Sequence, residues 1–71
     1  MIKKVNKLFG KRLRTIREKK GLKQEKLAFK VKLDRTYIGR IERGERNISL
    51  AVVARLANVL KTDIKDFFTN L

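Results

Sequence analysis

Seventy-one residues make one domain, residues 1–71, with a small core, because a chain this short buries roughly 60% of its unfolded surface. There is no Cys and no His, which excludes a disulfide staple, a Cys/His zinc site and thiol or imidazole catalysis. Twenty Lys and Arg against seven Asp and Glu give a net charge of +13, a self-repulsion that in so small a fold calls for a polyanionic partner. That charge is unevenly placed. Residues 1–47 hold seventeen of the basic and five of the acidic residues, a net of +12, and residues 48–71 hold the remaining three and two, a net of +1. The basic segments lack the wide apolar face of an interfacial helix, so nucleic acid is expected rather than membrane. The longest apolar stretch, Ile48 to Leu60, is broken by Arg55 and too short for a bilayer. Met1-Ile2-Lys3-Lys4 is not followed by the apolar region of a signal peptide. A soluble, cytoplasmic protein is expected.

Met1 to Lys7 is a basic lead-in without a helix-start signal. It reads as the frayed start of helix 1 or as a mobile arm reaching DNA. From about Asn6 to Lys20, Phe9, Leu13 and Ile16 repeat at helical spacing while Lys11, Arg12, Arg14 and Lys19 face away. Lys19-Lys20 suit the negative end of the dipole, Gly21 the left-handed cap, and Leu22 packs under the turn. Gly10 costs up to about 1 kcal/mol inside a helix, which close packing on a neighbouring helix would justify.

In QEKLAFKVKLDRTYIGRIER, Gln24 to Arg43, one apolar stripe (Leu27, Ala28, Val31) is followed by another (Leu33, Ile38, Ile41). Lys32-Leu33-Asp34 breaks the period between them, and Asp34 offers a carboxylate to cap the second helix. Ala28 is small where the two would cross. Two short helices, a tight turn and a small residue at the crossing describe a helix-turn-helix. Gly44 ends helix 3, and Glu45-Arg46-Asn47 is a polar connector. Ser49 caps helix 4, whose stripe is Leu50, Val53, Leu56, Ala57 and Leu60, and Asp63 caps a last short helix through Ile64, Phe67 and Phe68. The expected fold is all-α, five helices on one core, with no strand, repeat or linker.

This pattern resembles the phage-repressor and Cro-like (XRE-type) helix-turn-helix family, with a lambda-repressor-like domain, from about Phe9 to Phe68. The wording LDRTYIGRIERGERN is similar to the controller proteins of restriction–modification systems. Three departures stand out. Lys23 replaces the usual Ser or Thr N-cap of helix 2, a loss of typically about 1 kcal/mol. Lys32 stands where Gly is common, and a left-handed Lys is strained by roughly 1–2 kcal/mol. Gly39 replaces a Ser, removing one side-chain contact.

The outward residues of helix 3 are donors and hydroxyls suited to a major groove. By resemblance, Arg35 and Thr36 lie at the end that enters the groove, with Arg35 the first choice for a guanine. Arg40 reaches a second base or the backbone, or is simply a solvated face. The resemblance also assigns backbone contacts to Gln24 at the start of helix 2, to Tyr37, Arg46 and Asn47, and further to Lys23 and Arg43. Tyr37 reads equally as packing, and Arg46 and Asn47 as loop structure. Arg17 and Glu42 match the positions of an internal salt bridge between helices 1 and 3. The residue set contains no catalytic or metal-binding constellation, so neither an enzyme, a cofactor nor a small-molecule ligand is expected.

The expected function is a sequence-specific regulator of transcription that binds a pseudo-palindrome in double-stranded DNA as a homodimer. The alternatives are an antitoxin that represses its own operon and a charge-driven RNA- or nucleoid-binding protein. The dimer contact is expected at the nearly neutral C-terminal end, through Phe68, Leu71 and Ile64. Phe68 capping the groove between helices 1 and 4 of a monomer is the competing possibility.

Overall fold

The computed structural model describes residues 2–69 of the chain. Its elements are α1 (Ile2–Lys19), α2 (Gln24–Val31), α3 (Arg35–Glu42), α4 (Leu50–Leu60) and a closing 3-10 turn (Ile64–Phe67). Among the described residues there is no strand. The expected fifth helix is therefore corrected to a single turn of four residues. Its start carries a capping box, which favours a helix, so the brevity comes from its other end. The Asp66 carboxylate accepts from the Thr62 hydroxyl at 2.7 Å and from the Asp63 N–H at 3.2 Å, closing the chain on itself. The Thr62 hydroxyl, then the Asp63 N–H and the charges of Lys65 and Arg12, hold the Asp66 carboxyl below its ordinary range. Phe67, fully buried, then plugs the core and ends the run.

Helix α1 starts earlier than its apolar pattern indicates, at Ile2 rather than near Asn6. Nothing in the lead-in breaks a helix, and two contacts hold its first turns: Asn6 donates to the Asn47 side chain at 2.8 Å, and Lys7 lies against Gly44. At its other end Leu22 N–H reaches the Arg17 carbonyl and Gly21 N–H that of Glu18, with Gly21 left-handed at φ 71°. The same closure ends α2, α3 and α4, about Lys32, Gly44 and Lys61. Lys32 and Lys61 thus sit at φ 60° and 54°, where a Cβ is strained by roughly 1–2 kcal/mol. At Lys32 the arrangement is braced from α4, since the Arg55 guanidinium donates to the carbonyls of Val31 and Lys32.

The core gathers Phe9 and Leu13 from α1, Leu27, Ala28 and Val31 from α2, and Ile38 and Ile41 from α3. Val53, Leu56, Ala57 and Leu60 of α4 and Phe67 complete it. Leu50 is a correction. It shares the apolar face of α4 by angle, yet at the first helical position it projects past the core and is 83% exposed. Ile16, Leu22 and Leu33 pack half-buried at the core's edge. Gly10 is where α1 and α3 touch backbone to backbone, and a Cβ there would stand 2.5 Å from the Glu42 carbonyl oxygen.

Candidate DNA interface

Helix α3 is held at its start by Asp34, whose carboxylate accepts the Thr36 N–H at 3.1 Å. Ile38 and Ile41 point inward and fix its rotation. Arg35, Thr36 and Arg40 are consequently exposed on the outer side, and among the described residues their side chains make no hydrogen bond. Tyr37 is half-buried against the core, with the Arg46 guanidinium over its ring at 4.9 Å.

The inner side of α3 ends in a buried polar cluster. Arg17 donates to Glu42 through Nε at 2.6 Å and Nη2 at 3.0 Å, with side chains 9% and 3% exposed. Its Nη1 donates to the Leu22 carbonyl at 2.7 Å. Gln24 Nε2 adds a third bond to the carboxylate, 2.9 Å from Glu42 Oε1. The bonded carboxylate raises the Arg17 pKa above its ordinary value, so the guanidinium stays charged despite burial. One carboxylate at the end of α3 thus ties α1 to the start of α2, and Arg17 extends the cluster to the α1–α2 turn.

The other sequence-predicted residues are dispersed round this centre. Lys23 is exposed and extended at the N-cap of α2, with no side-chain capping bond. Arg43 forms a surface pair with Glu45 at 2.9 Å and lies over Gly39, its Nη1 3.2 Å from where a Cβ on that glycine would stand. The pairing raises the Arg43 pKa and lowers that of Glu45, the mutual hydrogen bond being the main cause in each. Asn47 is exposed and held by Asn6. At the other end of the molecule Phe68 is half-buried with its ring 5.6 Å from that of Phe9, and Ile64 is 47% exposed. Leu71 lies outside the described residues.

Three relationships escape sequence reading: the Gln24 bond to Glu42, the Arg55 brace on α2 and the Asn6–Asn47 bond. All join residues at least 18 apart with no periodicity to betray them. Among the described residues no group of three acidic or metal-ligating side chains could hold a metal ion, and no helix is long and apolar enough to cross a membrane.

Two short helices set by a tight turn, the second presenting a cationic and hydroxyl-bearing outer face, define a helix-turn-helix domain. The sequence pattern described as "Helix-turn-helix" matches residues 13–67. The chain belongs to the helix-turn-helix family of DNA-binding transcriptional regulators. It is 45% identical over 67 residues to control protein C.BamHI of Bacillus amyloliquefaciens, covering 93% of this chain and 83% of that one. It is 38% identical over 64 residues to control protein C.MunI of a Mycoplasma species, covering 89% and 86%. Among solved structures, the restriction-modification controller protein C.AhdI from Aeromonas hydrophila superposes with a TM-score of 0.86 at 48% identity, over 89% of this chain and 96% of that one.

Proposed function

We propose that the chain controls a restriction–modification system by binding a pseudo-palindromic operator in double-stranded DNA as a homodimer, in the cytoplasm of a bacterium. The observation that carries this reading is the outer edge of α3. The side chains of Arg35, Thr36 and Arg40 stand exposed and, among the described residues, make no hydrogen bond, on a helix whose orientation the Arg17–Glu42–Gln24 cluster fixes. The names of the relatives, control and controller proteins, support the same reading.

Arg35 is the reader of a guanine edge, two parallel N–H groups matching its O6 and N7, and Thr36 and Arg40 meet the neighbouring base or phosphate. Positioning falls to the groups around them. The uncapped first turn of α2, with Lys23 and Gln24, offers N–H groups and positive charge to one phosphate. Tyr37, with Arg46 over its ring, and Asn47 in the same loop border α3 on the other side, and Arg43 lies over Gly39 beside Gln24. Gln24 holds Glu42 through Nε2, so its contribution to DNA falls on its remaining oxygen and on the backbone N–H beside it.

The dimer forms at the C-terminal end, where the chain is nearly neutral and two +13 molecules repel least. Ile64 and the uncovered part of Phe68 supply its apolar contact, with Leu71. A two-fold pair then sets its recognition helices about 34 Å apart, one turn of duplex. Selection of bound sequences from a random duplex pool, with sedimentation equilibrium of wild type and Phe68→Ala, tests this. The expected results are an enriched sequence with two-fold symmetry and a wild-type dimer that the substitution weakens. A chain that stays monomeric at tens of micromolar and selects one half-site would contradict the dimer, and a pool with no enrichment would contradict specificity.

A further inference from the structure

Four of the α1 cations share one face, while Arg12 and Lys19 lie on another, towards Thr69 and Asp66, and Arg17 is buried. Lys4, Lys7, Lys11 and Arg14 recur at steps of three and four residues, so they form one stripe, and all are exposed. The stripe borders the side of α1 that meets α3. Around the helix it lies next to Gly10, which packs on the carbonyls of Ile41 and Glu42, and to Arg17, which pairs with Glu42. At its middle, Lys7 packs against Gly44, the residue that closes α3, so closely that a Cβ on Gly44 would stand 2.6 Å from Lys7 Cγ. Beside it Asn6 is bonded to Asn47, in the loop that also carries Arg46. The stripe is thus continuous with the surface that flanks the recognition helix.

For α1 alone the stripe is unfavourable. The first turn holds no acidic residue, so Lys4 faces the positive end of the helix dipole, and like charges three and four apart repel. The first acid on that face is Glu18, already bonded to Arg14 at 3.2 Å. A face that served only hydration would alternate its signs. This one is relieved by a polyanion.

We propose that Lys4, Lys7 and Lys11 form a second phosphate-binding surface that tracks the backbone of the duplex flanking the bases read by α3. The proposal rests on the DNA-binding reading of α3 and widens its footprint. Seven residues of helix spread the three lysines over about 10 Å, a length within which one strand, rising about 3.4 Å per nucleotide, places three to four phosphates.

The test uses the full chain in three forms: wild type, Lys4→Gln/Lys7→Gln/Lys11→Gln, and a control, Lys19→Gln/Lys30→Gln/Lys65→Gln, that removes the same charge elsewhere. Each is titrated between about 50 and 200 mM salt with two duplexes carrying the selected site, one ending at the site and one with about ten flanking base pairs of arbitrary sequence. On the long duplex the α1 variant should lose about 2.7 from the slope of log affinity against log salt per chain, and the control less than about 1. On the short duplex wild type and the α1 variant should agree, with base preference unchanged. Lys4→Gln/Lys11→Gln, which spares the Lys7–Gly44 contact, should lose about 1.8. An unchanged slope, an equal loss in the control, or the same loss on the short duplex would overturn the proposal. If the wild type does not discriminate selected from random DNA, the specificity of α3 fails by itself, and the same slope change on random duplex still decides the role of α1.

Discussion

Arg17 and Glu42 stand 25 residues apart in the chain and meet in two parallel hydrogen bonds of 2.6 and 3.0 Å at the junction of α1 and α3. The pair is almost fully enclosed, so removing either partner strands a buried charge and costs about 3–5 kcal/mol, against a total of roughly 4–10 kcal/mol for a domain of this size. Arg17→Met and Glu42→Leu should each lower the denaturation midpoint steeply, and the double variant should be far less than additive, because it leaves neither charge unpaired. Chemical denaturation of the four proteins measures the coupling. Effects that add to within about 0.5 kcal/mol would mean the two side chains do not act together.

Gly10→Ala looks harmless in a helix, where alanine is favoured by about 1 kcal/mol. Here the added methyl meets the backbone of Ile41 and Glu42, which cannot swing aside as a side chain can. The expected outcome is a loss of about 1–3 kcal/mol or more, because α1 and α3 must separate. Thermal melting compares the two directly, and a raised melting temperature would show that the helices do not approach so closely.

Lys32→Gly should go the other way. The left-handed Lys32 is strained by roughly 1–2 kcal/mol, and the entropy lost by a glycine is about 0.5–1 kcal/mol. A net gain of about 0.5–1 kcal/mol is expected in urea denaturation, with DNA affinity nearly unchanged. A loss would place the Lys32 side chain in a stabilising contact.

Period and punctuation made most of the fold legible. Leu27, Ala28, Val31, Ile38 and Ile41 give the helix pair, Asp34 and Ser49 give two caps that the structure contains, and Gly21 and Gly44 give two left-handed closures. The early start of α1 was hidden because Lys3, Lys4 and Lys7 carry no apolar signal, and the tether at Asn6 comes from a residue 41 positions away. Leu50 misled because helical angle says nothing of where a core stops along a helix. Ile64, Phe67 and Phe68 have helical spacing, but spacing over so few residues does not distinguish an α-helix from one 3-10 turn. Of the candidate site, Arg35, Thr36 and Arg40 lie exposed on the outer side of α3. The inward use of Gln24 was illegible, since a surface glutamine and one bonded to a buried carboxylate look the same in sequence.

On the proposed reading, α3 reads bases through Arg35 while the groups around it bind phosphate. Affinities of wild type, Arg35→Ala and Lys23→Ala for the selected duplex and for a random one, each across a salt series, test it most directly. Arg35→Ala should lose about 1–3 kcal/mol on the selected site only and relax preference at one base pair. Lys23→Ala should weaken both duplexes alike and reduce the salt slope by about 1. Equal losses on selected and random DNA for Arg35→Ala would contradict the account.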